Sequence, residues 1–102
     1  MSSVKNNLIL QTIHEKLKKI MNKTDELFIQ LVAIFQSSAL QGMGKIKNPV
    51  TNAVEQNHEQ ATHAISMLDM LREKTQGNLS DSLQRTLSQV ISELKLNFSE
   101  LK

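Results

Sequence analysis

Two histidines five residues apart, His58 and His63, with Glu59 directly after the first, are the closest approach of this chain to a metal-binding motif. A zinc protease spaces its histidines by four, so that both rings share one helix face with a glutamate beside them as general base. A spacing of five turns the second ring about 140° away around a helix, too far for the pair to close on one ion. Glu55 and His58 have the Glu-x-x-His spacing of di-iron bundles. Such a centre needs a second pair of that kind and two more inward carboxylates. Glu26, Glu93 and Glu100 stand at a helix start or off the apolar seam, so they do not supply them. The residues are better read as a solvated helix face, with Glu59 four positions before His63 as a weak ion pair.

Nucleophilic chemistry has as little support. The chain has no Cys, which excludes disulfides and thiolate metal sites. It has no Gly-x-Ser-x-Gly elbow and no glycine-rich loop after a strand. Ser37-Ser38 reads as small residues on the polar edge of a packed helix. General acid–base catalysis needs two ionisable groups forced into a pocket, and nearly all the acids here fall on predicted outer faces. The expectation is a protein that is not an enzyme, with no catalytic residue, no metal, no cofactor and no small-molecule substrate.

Charge is uneven. The 102 residues carry a net charge of +2, but residues 1–23 hold five lysines against one glutamate, and the remainder is net acidic. Lys16, Lys18, Lys19 and Lys23 crowd the end of a predicted first helix, where cations meet the negative pole of the helix dipole. These four are the candidate phosphate contacts in an alternative reading, a nucleic-acid-binding accessory protein with salt-dependent affinity. Against it, the arm has no Arg, and the chain offers only three Phe and no Tyr or Trp for stacking on bases.

The elements that must position all of this are helical. The length suits one domain, 1–102, divided into a basic helical arm, 1–23, and a core, 24–102. Leu10, Ile13, Leu17 and Ile20 give a first amphipathic helix, about Asn6 to Asn22. Thr24 is positioned to cap a second helix, with Asp25 and Glu26 in its first turn and a stop at Gly42-Met43-Gly44. A loop with Asn48-Pro49 as its turn follows. A third helix starts near Ala53 or Asn57 and runs to Gln76, on a seam of Ala61, Ala64, Leu68, Leu71 and Thr75 with Ile65 beside it. Gly77 stops it. Ser80 caps a fourth, with Asp81 at its positive end and a seam of Leu83, Leu87, Val90, Leu94 and Leu101 flanked by Ile91 and Phe98. No alternating strand pattern appears. The fold class predicted is all-α, a four-helix bundle-like arrangement. The third and fourth helices form an antiparallel hairpin packed on the second, and the first is an added amphipathic arm.

The second helix sets the functional expectation. From Leu27 to Phe35 only Gln30 is polar, and the hydrophilic line is thin: Glu26, Gln30, Ser37 and Gln41. A helix apolar almost all round must be surrounded by neighbours, from its own chain or another. Leu31→Asp or Phe35→Asp is expected to unfold the protein or break an oligomer, and Gln30→Asp to be mild. Met67 and Met70 beside the third helix's seam add adaptable apolar surface. Phe28, Leu31, Val32, Phe35, Met67 and Met70 are the candidate interface. It implies a homo-oligomer, preferably a dimer, or a protein partner. No stretch has the ~20 apolar residues of a membrane span, and no secretory leader is visible, so the expected setting is soluble and cytoplasmic.

Ala-Leu-Gln-Gly-Met-Gly at Ala39–Gly44, Asn48-Pro49, and Met-Leu-x-Met-Leu-Arg-Glu-Lys-Thr-Gln-Gly-Asn-Leu from Met67 to Leu79 resemble the small bacterial family called domain of unknown function 1844. The likeness covers roughly three quarters of the chain, from Leu27 onward, and leaves out the first helix. Members typically have Ile-Asp where Ile65-Ser66 stands, and more acid near Ser82 and Gln84. The resemblance implies an uncharacterised helical fold in a bacterial cytoplasm, and it carries no catalytic residue. The Lys74–Leu79 block also has a plain structural sense. Lys74 favours the negative helix end, Thr75 continues the seam, Gly77 turns, and Leu79 covers the hairpin end. A surface made by Arg72, Lys74, Gln76 and Asn78 is the functional counterpart.

Overall fold

The structure is a computed structural model that describes residues 22–101. It is all-α over that range: α1, Lys23–Gly42; α2, His58–Lys74; and α3, Asp81–Ser99. These match the second, third and fourth predicted helices. The predicted first helix lies outside the described residues except for Asn22, as do Lys16, Lys18 and Lys19. Among the described residues the only sheet-like contact is an isolated bridge between Met43 and Gln56.

Each helix opens on a side-chain cap. Asn57 accepts a hydrogen bond from the Gln60 amide at 3.1 Å, and Ser80 accepts one from the Leu83 amide at 3.2 Å. Each oxygen satisfies a donor that the first helical turn leaves free. For α1 the cap is Asn22 rather than the expected Thr24: its Oδ1 takes the Asp25 amide at 2.8 Å. Asn22 holds extended backbone, φ −76° and ψ 176°, so the chain enters the helix there. Lys23 therefore opens α1 and does not close the predicted first helix.

α2 folds back along α1, and α3 folds back along α2. The core they enclose is small and aliphatic. Val32, Ala39 and Met43 come from α1 and its end; Ala61, Ala64, Ile65 and Leu68 from α2; Leu87, Ile91 and Leu94 from α3. Leu83 is buried as well. Ile91 belongs to the seam of α3 and Val90 flanks it, the reverse of the expectation from spacing. Thr75 is the C-cap of α2, half-buried, and its hydroxyl donates to the Leu71 carbonyl at 2.6 Å instead of packing as a seam residue.

The two glycines after Leu40 do different jobs. Gly44 takes φ +76°, the left-handed conformation expected of a helix stop. Gly42 is buried inside the last turn of α1. A Cβ there would sit 2.6 Å from the Ala61 nitrogen and 2.7 Å from the Asn57 oxygen. The missing side chain lets α1 touch the backbone of α2's first turn, and the Asn57 amide donates to the Gly42 carbonyl at 2.7 Å. Gly77 has φ +82° and open space around it, as its turn role requires.

Candidate functional site

The polar candidates do not converge. His58, Glu59 and His63 are exposed on the first turns of α2, and Glu55 is exposed in the preceding loop. His58 packs the edge of its ring against Phe98, centroids 5.7 Å apart at 67°. That contact ties the start of α2 to the end of α3, a structural duty that the sequence did not indicate. No group of three or more His, Asp or Glu among the described residues is arranged to hold a metal ion. A polar recess of about 160 Å³ beside the loop is lined by Gln41, Asn48, Ala53, Glu55, Gln56, Asn57 and Gln60. It contains one carboxylate and neither a base nor a nucleophile to work with it.

Ser38 is half-buried, and Gln60 reaches across from α2 to it, its Nε2 donating to the Ser38 carbonyl at 3.0 Å. The pair satisfies polar groups at the α1–α2 contact. Of the hairpin-tip surface, Lys74, Gln76 and Asn78 are exposed, while Arg72 is engaged with Asp69 at 3.0 Å. Asp69 also takes Lys95 of α3 at 2.9 Å, so one carboxylate links both helices of the hairpin. Sequence spacing shows the Asp69–Arg72 pair, three apart on one helix, but the Lys95 partner follows only from the hairpin's register.

The apolar candidates are spread over different depths. Val32 is buried in the core; Phe28 and Phe35 are half-buried against it; Met67 is half-buried; Leu31 and Met70 are exposed. α1 carries two separate apolar features. On its outer face Leu27 is 55% exposed, Leu31 38% and Ile34 63%. Among the described residues, then, α1 is not surrounded: α2 and α3 cover one side and leave the other bare. On a different flank, α1 and α3 stand apart over an apolar groove of about 80 Å³. Phe28, Val32, Ala33, Leu83, Leu87 and Val90 are among the residues that line it, and no charged residue takes part. The signal for both features was the apolar run from Leu27 to Phe35, which fixes no direction because it is apolar all round.

No described helix is long and apolar enough to cross a membrane. Compared with known families, residues 25–100 match the model described as Domain of unknown function (DUF1844). No curated protein and no solved structure matches the chain.

Proposed function

The chain belongs to the DUF1844 family, and from that premise, which brings a fold and no chemistry, we propose that it is a small non-catalytic helical protein that acts through self-association or by taking a protein partner. A homodimer is the preferred form, in a bacterial cytoplasm of the kind the family resemblance implies. In this reading residues 6–22 add a fourth helix to the three described.

One observation carries the proposal: α1 keeps apolar side chains on surface that α2 and α3 leave uncovered. Uncovered apolar surface loses about 25 cal/mol for every Å² left in water, so a second surface that covers it is favoured. The groove between α1 and α3 is the part suited to a second chain. Its lining is mostly apolar, and Gln36 and Thr86 are there for polar contacts. Light scattering on a size-exclusion column tests it. Twice the mass of one chain is expected, falling to a single chain in Ala33→Asp, whose carboxylate would stand at the groove mouth. A wild-type protein that elutes as a monomer across the concentration range, and captures no partner through this groove, refutes the proposal.

A further inference from the structure

Lys23, Leu27, Leu31, Ile34 and Ser38 of α1 are spaced four, four, three and four, so they form one line along the helix. Glu59, His63, Met67, Met70 and Lys74 of α2 have the same spacing. A hydrogen bond sets the two lines side by side. Gln60, seven residues before Met67, donates through Nε2 to the Ser38 carbonyl at 3.0 Å. Leu31 is seven residues before Ser38, and the helices run in opposite directions. Leu31 and Met67 therefore fall level, and Lys23 and Lys74 come to the same end. α3 packs on the other side of the pair, facing Ala33 and Gln36 of α1 across the groove and holding Asp69 of α2 through Lys95.

The two lines make one face opposite α3. Its basic end is Lys23 and Lys74, its middle is apolar, and its acidic end is Glu59. Leu27, Leu31, Ile34 and Met70 are exposed there, with Met67 half-buried between the helices. Lys23, Lys74 and Glu59 are exposed too, and none is ion-paired among the described residues.

We propose that this face pairs with the same face of a second copy, about a two-fold axis that crosses both helices. The pairing rests on the self-association reading and adds to it a second contact, away from the groove. Charge selects the axis. A two-fold along the helices would lay basic end on basic end. A two-fold across them lays Lys74 on Glu59 of the second copy and Leu27 on its Ile34. Leu31 and Met67 then meet their own counterparts. Both lines have their midpoints at this level, so one axis serves both. Two helices wide and about 20 Å long, the face falls short of the roughly 800 Å² per partner of a standard interface. Its ion pairs are exposed and add little. The contact is the weaker of the two and forms where the protein is concentrated.

The chain has no Cys, so single substitutions report the pairing. Full-length Leu31→Cys, oxidised at high protein concentration, is expected to link chains with about fivefold or more the yield of Ser82→Cys, an exposed control on α3. Leu27→Cys is expected to link poorly to itself and well to Ile34→Cys when the two proteins are mixed. Lys74→Glu should lower the Leu31→Cys yield, and adding Glu59→Lys should restore it. All these positions are exposed, and circular dichroism confirms that each variant is folded. Equal yields for Leu31→Cys and Ser82→Cys, Leu27→Cys linking to itself as readily as to Ile34→Cys, or no rescue by the charge swap overturn the proposal. So does a Leu31→Cys thiol that labels slowly yet never links chains, since the face then has another occupant. Ala33→Asp separates this contact from the groove, because it is expected to leave the Leu31→Cys link intact. A link in a wild-type background that is monomeric by light scattering at low concentration would sink the groove dimer and leave this pairing standing. A light-scattering dimer without the link would do the reverse.

Discussion

Replacing Gly42 by alanine isolates the closest helix contact in the molecule. On an exposed helix the change stabilises by about 1 kcal/mol, because glycine loses more backbone freedom on folding. At Gly42 the added methyl would meet the Ala61 nitrogen at 2.6 Å and the Asn57 oxygen at 2.7 Å. Both are backbone atoms and cannot rotate away. The end of α1 must move from the start of α2, which stretches the 2.7 Å hydrogen bond from the Asn57 amide to the Gly42 carbonyl. Overpacking of this kind costs about 1–3 kcal/mol and more where backbone must shift, so the net loss expected is about 2–3 kcal/mol. For a domain of this size that lowers Tm by roughly 10–20 °C. Urea and thermal unfolding followed by circular dichroism at 222 nm measure both. Gly77→Ala is the companion, with nothing within 4 Å of the new Cβ and only the φ of +82° to oppose it. Its cost is about 1 kcal/mol. A Gly42→Ala protein as stable as wild type, or less affected than Gly77→Ala, would refute the close-approach account of Gly42.

Other outcomes follow from the same geometry. Asn22→Ala is expected to cost about 1 kcal/mol in urea unfolding while Thr24→Ala costs a few tenths, since only Asn22 caps α1; the opposite order would restore Thr24 as the cap. Leu68→Ala or Leu87→Ala is expected to cost about 2–5 kcal/mol, each side chain being fully buried in the core. Leu31→Asp, on the uncovered face, should leave the three-helix core folded by circular dichroism, and global unfolding would place Leu31 in the interior after all. Asp69→Asn should cost at most about 1 kcal/mol and lose that effect in high salt, because Arg72, Lys95 and Asp69 are all substantially exposed.

The helices were legible because their seams repeat at helical spacing and their ends are marked. Asn57, Ser80 and Gly77 do in the structure what their residue types suggest in the sequence. The failures have a common physical origin. Gly42 and Gly44 look alike as helix stops, and only the approach of α2 separates a glycine chosen for φ from one chosen for lack of bulk. Asn22 and Thr24 are both competent caps, and the choice depends on where the preceding chain turns. The apolar run of α1 calls for cover on every side, and because it carries no direction it did not show which side α2 and α3 would take. Val32 went to the core, while Leu31 stayed exposed. The ring contact of His58 with Phe98 lies forty residues apart in sequence, beyond any local pattern. The structure places His58 and His63 on exposed positions near the start of α2.

The crossing from α1 to α2 is stitched at two levels. At its foot, the Asn57 amide holds the Gly42 carbonyl; higher up, the Asn48 amide reaches the Ala53 carbonyl at 2.9 Å and the Asn52 amide reaches Asn48 at 2.7 Å. Val50 rides at the crest, 90% exposed. Extra residues spliced in beside Val50 would undo only the upper stitch, and the foot would keep the helices where they are. That crest is a docking point for a fluorophore or an epitope tag, from which the comings and goings of the whole bundle can be watched without touching either face of α1.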